Sequence, residues 1–208
     1  MQVFWHSCIY LIENSAEMPH VSFIGNEEQR LVKRLQEGDK TAASEFYARY
    51  GGSLVGVCVR YIADEEDVKD VIQNALVHIL SHITEFEYRG AGSLKAWVVR
   101  IAVNESLMFL RTKDQHELLQ PDYDIIDDSE DDLSVCDIPP DILRKMLNRL
   151  PTGYRTVLNL YVFEGKSHQE IARLLGIKKD SSASQLVRAK SMLAQMIRKY
   201  NNNNNPQR

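Results

Sequence analysis

Cysteine is scarce in this sequence of 208 residues, which has only Cys8, Cys58 and Cys136. Because their number is odd and no C-x-x-C spacing occurs, neither a disulfide framework nor a zinc site is supported, and we expect packing or incidental residues. The six histidines are scattered, and the sequence has no recognisable Ser-His-Asp set, Cys-His pair or glycine-rich phosphate loop. The sequence therefore predicts no catalytic residue, no metal site and no cofactor, and it argues against an enzyme.

Long hydrophobic runs are also missing. No window approaches the roughly 20 uninterrupted apolar residues that a bilayer-spanning helix requires. The apolar segment at residues 3–12 is short and has no basic run before it. With 44% hydrophobic and 26% charged residues, the composition is that of a globular protein with one large domain or two small ones. We therefore expect a cytoplasmic protein without membrane insertion.

Two stretches of the chain each carry charge almost entirely of one sign, the first negative and the second positive. Residues 114–141 contain eleven Asp and Glu residues and no Lys or Arg. Residues 142–208 carry 13 Lys and Arg against three Asp and Glu, a net charge of +10, although the whole chain has −4. This segregation predicts two modules separated by an acidic bridge, of which the second is suited to meet a polyanion.

The alternating apolar pattern of a strand is not sustained anywhere, and from residue 27 onward the apolar residues recur at helical spacing. The expected fold is all-α, with two small helical domains joined by an acidic flexible linker. The predicted divisions are a disordered amino-terminal extension at 1–24, a first domain at 25–113, the linker at 114–138, a second domain at 139–200 and a disordered Asn-rich tail at 201–208. Because the first 17 residues do not share the helical pattern, Met18 is an alternative start.

Several helix boundaries are specified by capping residues. Gly38 is interpreted as a helix end, and Asp39 and Asp64 as the N-caps of the next two helices. A helix is predicted over 93–111, with an apolar face formed by Leu94, Trp97, Val98, Ile101 and Met108. In the second domain, helices are predicted over 141–150, 154–163, 167–175 and about 181–200.

The second domain also has the sequence pattern of a helix-turn-helix. SHQE at 167–170 predicts a capping box, and Gly176 allows a turn at positive φ before the next helix. The polar face that follows has residue types that bind base edges and phosphates. Its candidate residues are Lys178, Lys179, Ser181, Ser184, Gln185 and Arg188. The alternative is a solvated polar face on an ordinary helical hairpin.

The predicted helix at 93–111 and the segment before it form a second candidate nucleic-acid surface. Its residues are Phe86, Arg89, Trp97, Arg100, Asn104 and Arg111. At about 100° per residue, the last three fall within about 40° of one another. Aromatic rings beside cations are able to stack on single-stranded bases. The alternative is that the aromatic residues belong to the core.

An acidic cluster at residues 64–70 precedes an apolar stripe on the same predicted helix. We do not interpret the cluster as a metal site, because no histidine or ligand-loop spacing accompanies it and helix starts favour carboxylates in any case. A charged rim around an apolar stripe is better suited to docking on a partner helix.

Taken together, residues 27–197 resemble the bacterial RNA polymerase sigma factors of the extracytoplasmic-function group. DVKDVIQNAL at 67–76 resembles the helix with which that family docks on core polymerase, and SLKAWVVRIAVN at 93–104 resembles its promoter-melting helix. LPTGYRTV at 150–157 and the helix-turn-helix at 165–190 resemble its carboxy-terminal domain. The resemblance implies an alternative sigma factor that directs promoter-specific transcription initiation.

The resemblance also implies partners and residue roles. It assigns core-polymerase binding to Asp67, Asp70, Gln73, Leu76 and Ile79. It assigns capture of the minus-10 element to the candidate surface around the 93–111 helix, and reading of the minus-35 element to the candidate face of the helix-turn-helix. Core RNA polymerase and promoter DNA are the implied partners, with the chain a monomer on polymerase. Members of the family are often held inactive by an anti-sigma factor, a partner that no residue here demonstrates.

The sequence departs from the family pattern at a few positions. Lys69 and Asn74 stand where carboxylates are usual, and Ala183 replaces a frequently basic residue of the recognition helix. Lys69 and Asn74 make the docking surface less acidic than is usual in the family. Ala183 implies that the promoter sequence that is read differs from the usual one. The competing hypothesis is a stand-alone helix-turn-helix transcriptional regulator, which has no reason to carry the two motifs within residues 64–111.

Overall fold

A computed structural model describes residues 24–113 and 138–204, and within these residues all regular structure is helical. The all-α fold class is therefore confirmed. A division after Lys113 separates the chain into two compact units. In the described part of the chain, no helix is long and apolar enough to cross a membrane. The predicted amino-terminal extension up to residue 23 and the predicted linker up to residue 137 lie outside the described residues.

The first unit is built from four α-helices and a short 3-10 helix among its described residues. The Asp39 side chain accepts a hydrogen bond from the Thr41 amide at 2.8 Å, and the Asp64 side chain accepts from the Glu66 amide at 3.0 Å. These contacts confirm both predicted N-caps. The helices are α1 (Ile24–Gln36), α2 (Lys40–Tyr61), α3 (Glu65–His82), the 3-10 helix (Ile83–Glu85) and α4 (Ser93–Lys113).

The core of the first unit lies where α2, α3 and α4 pack against one another. Its fully buried large side chains include Phe46, Leu54, Tyr61, Ile79 and Leu94. Cys58 belongs to the same core, and burial raises the pKa of its thiol to about 11. Since the thiolate is the reactive form, this cysteine is a packing residue near neutral pH, as predicted.

The second unit contains four α-helices among its described residues. They are α5 (Pro140–Asn148), α6 (Thr152–Val162), α7 (His168–Leu175) and α8 (Lys179–Asn204). The long helix α8 packs against α5, α6 and α7. Ile138 and Leu143 are both buried and occupy the N′ and N4 positions of α5, the positions of a hydrophobic staple.

Two predicted boundaries are wrong in the described residues. Ile138 was expected to end the solvated linker, but it is buried because it forms half of the staple that starts α5. The Asn-rich tail was expected to be disordered from residue 201, but α8 continues through Asn204. Extending an existing helix costs far less than nucleating one, so a long packed helix continues into residues of poor helix propensity.

Gly52 is an exposed glycine inside α2, where a Cβ atom would meet nothing within 4 Å. We expect Gly52→Ala to raise the free energy of unfolding by about 1 kcal/mol, because alanine loses less backbone entropy in a helix. The measurement is urea unfolding of the full chain. Gly176→Ala is the matched control, and it should destabilise the protein because Gly176 has a φ of 69°. A Gly52→Ala protein that is no more stable than the original would contradict the expectation.

Candidate nucleic-acid interface

The middle part of helix α4 is mostly buried and exposes a narrow line of side chains. From residue 100 to residue 110, only Arg100, Asn104 and Met108 are exposed, each four residues after the last. Arg111 continues this line toward the end of the helix, and the half-buried Trp97 begins it. We call these five residues the α4 line. Met108 was predicted on the apolar core face, and that assignment is wrong because its side chain is 54% exposed.

Two aromatic rings lie together at the amino-terminal end of the α4 line. The ring centroids of Phe86 and Trp97 are 4.9 Å apart, with an interplanar angle of 38°. Both side chains are half-buried, so each has one part in the core and one part accessible to a ligand. Arg89 is exposed in the loop between the 3-10 helix and α4, which also contains Phe86. Its guanidinium donates to the Glu87 carboxylate at 3.3 Å. The structure thus brings the two predicted aromatic residues together.

Helix α1 fixes the loop that leads into α4. The Glu28 carboxylate, in a residue only 1% exposed, accepts hydrogen bonds from the amides of Gly92 and Leu94, both at 2.7 Å. Near the other end of the loop, the Gln36 side-chain amide donates to the carbonyls of Ile83 at 3.0 Å and Phe86 at 2.9 Å.

Sequence reasoning missed Glu28, although a signal was present. Glu28 precedes Leu31, Val32 and Leu35 at helical spacing, which puts a carboxylate on the apolar stripe of α1. A charged residue at such a position is unfavourable unless it finds buried hydrogen-bond donors. Burial, and secondarily the Glu28 charge, raise the pKa of the neighbouring Tyr50 hydroxyl to about 12.

The predicted docking residues on α3 do not share one face. Asp70 and Gln73 are exposed, Leu76 is half-buried, and Asp67 is paired with the Lys113 ammonium at the end of α4. Ile79 is fully buried in the core, so its predicted contact with a partner is wrong. The reason is geometric: positions spaced by three advance about 300° around a helix, so five of them rotate from the exposed side to the core.

The exposed apolar residues of α3 are different ones. Val77 is 66% exposed and Leu80 is also exposed, and both lie within about 80° of Asp70 and Gln73 around the helix. We call these four residues the α3 patch. Sequence reasoning assigned neither Val77 nor Leu80 a role, although 3.6-residue periodicity places both on the side of Asp70.

In the second unit, the predicted helix-turn-helix is present. The Ser167 amide donates to the Glu170 carboxylate at 2.8 Å, and the Glu170 amide donates back to Ser167 Oγ at 3.3 Å, which completes the capping box. The Ser167 hydroxyl also donates to the Glu170 carboxylate at 2.7 Å, and this bond, followed by the one from the Ser167 amide, lowers the pKa of Glu170. Gly176 ends α7 in the left-handed conformation, and α8 follows after two residues.

Five of the six residues predicted to read DNA are at least partly exposed. Lys178 and Lys179 are exposed, and Ser181, Ser184 and Arg188 are partly exposed. These five residues remain accessible to a ligand and surround the start of the recognition helix.

Gln185 is buried instead, with 6% of its surface accessible, so its predicted contact with DNA is wrong. It lies about 60° from the buried Ser182 around α8, on the side that packs inside the unit. His168 Nδ1 is 3.0 Å from Ser182 Oγ, which joins the start of α7 to α8. The exposed position that sequence reasoning missed is Val187, which is 53% accessible.

No group of three or more His, Cys, Asp or Glu side chains in the described residues is arranged to hold a metal ion. The geometry instead offers three surfaces for macromolecules, namely the α4 line, the α3 patch and the partly exposed face at the start of α8.

Comparison with known proteins identifies the family. The model for Sigma-70 region 2 matches residues 46–116, which include the α3 patch and the α4 line, and the model for Sigma-70, region 4 matches residues 141–193, which include the helix-turn-helix. The chain is 28% identical to the ECF RNA polymerase sigma-E factor of Haemophilus influenzae, over 82% of this chain and 95% of that protein. The chain belongs to the sigma-70 family, in its extracytoplasmic-function group.

A second relative and one solved structure are also similar. The RNA polymerase sigma-H factor of Pseudomonas aeruginosa is 27% identical, over 80% of this chain and 92% of that protein. The structure of CnrH in complex with the cytosolic domain of CnrY has 21% identity, covers 82% of this chain and 96% of that one, and gives a TM-score of 0.44, a similarity too low to carry a conclusion here. This protein is an alternative sigma factor that directs promoter-specific transcription initiation, and sigma factors are initiation factors rather than catalysts.

The Glu28 contacts generate a test in this sigma factor. We expect Glu28→Ala to lower the free energy of unfolding by about 2 to 4 kcal/mol, because it leaves the Gly92 and Leu94 amides without their acceptor. Glu28→Gln keeps one acceptor and should cost less. Thermal unfolding of the full chain measures both.

The matched control is Glu27→Ala on the same helix. Glu27 makes an exposed ion pair with Arg49 at 3.2 Å, which contributes little, so its loss should change stability by less than about 1 kcal/mol. Equal effects of the Glu27 and Glu28 substitutions would show that the buried contacts do not stabilise the loop.

Proposed function

We propose that residues 24–113 of this sigma factor bind core RNA polymerase through the α3 patch and hold the minus-10 element of the promoter on the α4 line, while α8 reads the minus-35 element. The observation that carries this proposal is the α4 line. It is a row of exposed side chains on α4, two cations and an amide among them, that begins at a pair of partly accessible aromatic rings.

The α4 line has the chemistry required to bind separated DNA strands. Arginines at positions 100 and 111 supply cations for backbone phosphates. The Asn104 amide is able to pair with the edge of an adenine, and the accessible parts of Phe86 and Trp97 offer surfaces on which unpaired bases stack. A rigid helix holds these groups in a fixed order, so the bases that best match that order are bound most tightly.

The α3 patch has the composition of a protein interface. Val77 and Leu80 provide an exposed apolar centre, and Asp70 and Gln73 provide a polar border on the same side of the helix. Interfaces between proteins commonly combine an apolar core with a polar rim. Core RNA polymerase is the partner proposed for this patch.

The start of α8 has the charge required for duplex DNA. Lys178, Lys179 and Arg188 are cationic, and the residues from 142 onward carry a net charge of +10. Partly exposed Ser181 and Ser184 add hydroxyl groups that are able to bond phosphates or base edges. This face is the one proposed to enter the major groove at the minus-35 element.

The partners proposed for the whole protein are core RNA polymerase and promoter DNA. An anti-sigma factor is a further proposed partner, because members of the family are often controlled in that way. Since the polymerase and the chromosome lie in the bacterial cytoplasm, the cytoplasm is the proposed site of action, with the chain bound to polymerase as a monomer.

Run-off transcription tests the proposed function. Purified core RNA polymerase is combined with this protein on a pool of genomic promoter fragments, and each component is also assayed alone. Defined transcripts that require both components, with shared sequences near minus-10 and minus-35, are the expected result. Absence of such transcripts together with absence of core binding would contradict the proposal.

The α3 patch predicts that a charge at Leu80 and a charge at another exposed apolar position differ in their effect on core binding. We expect Leu80→Glu to weaken binding to core polymerase at least tenfold, because it places a charge in the apolar centre of the interface. Val55→Glu, at an exposed aliphatic position on α2, is the control and should bind core normally. Fluorescence anisotropy of labelled protein titrated with core measures the affinities, and equal affinities for the two variants would exclude this interface.

The proposed role of Arg188 on α8 predicts that its removal lowers promoter-dependent transcription without affecting core binding. We expect Arg188→Ala to reduce transcription from promoters with a minus-35 element roughly tenfold, since a direct arginine contact contributes about 1 to 3 kcal/mol. Binding to core should not change. Lys199→Ala removes an exposed cation farther along the same helix and is the matched control. A similar loss in both variants would indicate general charge attraction instead of reading by Arg188.

A further inference from the structure

Met108 is an apolar side chain in the middle of a polar surface. It is 54% exposed, one helical turn after Asn104 and three residues before Arg111. Leu107 and Leu110, one residue before and two after it, are buried, so α4 uses other residues to pack against its own unit. A single exposed methionine is unremarkable by itself. Met108 is relevant because it lies in the α4 line between Asn104 and Arg111, two residues proposed to bind DNA.

The position of Met108 determines which part of a bound strand it meets. Side chains four residues apart on one helix face lie about 6 Å from each other, a distance close to two base steps. If Asn104 contacts a base edge, Met108 is therefore able to reach a base one or two positions away along the strand. Because Met108 has no strong hydrogen-bonding group, the contact it offers is apolar.

Thymine is the base with an apolar group on its edge. Its 5-methyl group is recognised by apolar side chains, whereas adenine, guanine and cytosine have no methyl group there. Methionine is unbranched and flexible, so its thioether and terminal methyl are able to adapt to such a group.

We infer that Met108 is a specificity-determining residue that contacts the 5-methyl group of a thymine near the base bound by Asn104. This inference rests on the proposed function, in which the α4 line holds the minus-10 element. It adds a preference for thymine at one position of that element.

The first experiment measures base preference directly. Holoenzyme is assembled from core polymerase and either the original protein or Met108→Ala, and it transcribes a promoter library whose minus-10 segment is randomised. Sequencing of the transcribed templates gives the preference at each position. Met108→Ala should lower the preference for thymine at one position about fourfold, the factor that corresponds to one buried methyl group, and leave the other positions unchanged.

A second experiment removes the methyl group from the DNA instead of the protein. At the position found in the library, deoxyuridine replaces thymine in the non-template strand, which deletes only the methyl group. This replacement should lower transcription by the original protein about fourfold and should have little further effect with Met108→Ala. Met108→Leu keeps an apolar side chain and should preserve the sensitivity to deoxyuridine.

The controls separate failure of this inference from failure of the proposed function. Asn104→Ala should change the preference at a different position, whereas Val55→Ala on α2 should change none. If Asn104→Ala and Met108→Ala both leave every preference intact, the proposed role of the α4 line is wrong. If only Met108→Ala leaves them intact, or lowers transcription equally on all templates, the thymine contact is wrong. Thermal unfolding of each variant verifies that it is folded.

Discussion

The carboxylate of Glu28 determines where α4 begins and how the loop before it is held. It is almost completely removed from solvent, and the amides of Gly92 and Leu94 supply the donors that such a buried charge requires. The amino-terminal end of α4 favours a negative charge at the same place through the helix dipole. Together with the Gln36 contacts to the loop carbonyls, this interaction sets the positions of Phe86 and Trp97 and therefore the start of the α4 line.

Core packing and a line of exposed side chains are combined in the same helix of the first unit. The middle part of α4 packs against α2 and α3, and between residues 100 and 110 it leaves one narrow line of side chains exposed. Because a buried helix has little freedom to shift, the spacing between Arg100, Asn104 and Met108 is nearly fixed. Trp97 belongs to both the packed and the exposed part of the helix, since it is half-buried.

The second unit uses polar contacts for a similar purpose. His168 at the start of α7 lies within hydrogen-bond distance of the buried Ser182 on α8, and Gly176 supplies the left-handed residue between the two helices. Gln185 is buried on the same side of α8 as Ser182. These residues fix α8 against α7 and leave Ser184, Val187 and Arg188 on the accessible side.

The amino-acid sequence by itself determined the helical class, the capping residues Asp39, Asp64 and Ser167, and the helix-turn-helix, because these depend on spacing and local hydrogen bonds within one helix or turn. Only the tertiary structure decided which side of each helix meets another helix. That decision buried Ile79 and Gln185, exposed Val77 and Met108, and joined Glu28 to amides more than 60 residues away. The physical reason is that burial depends on contacts between distant segments, which one-dimensional spacing does not specify.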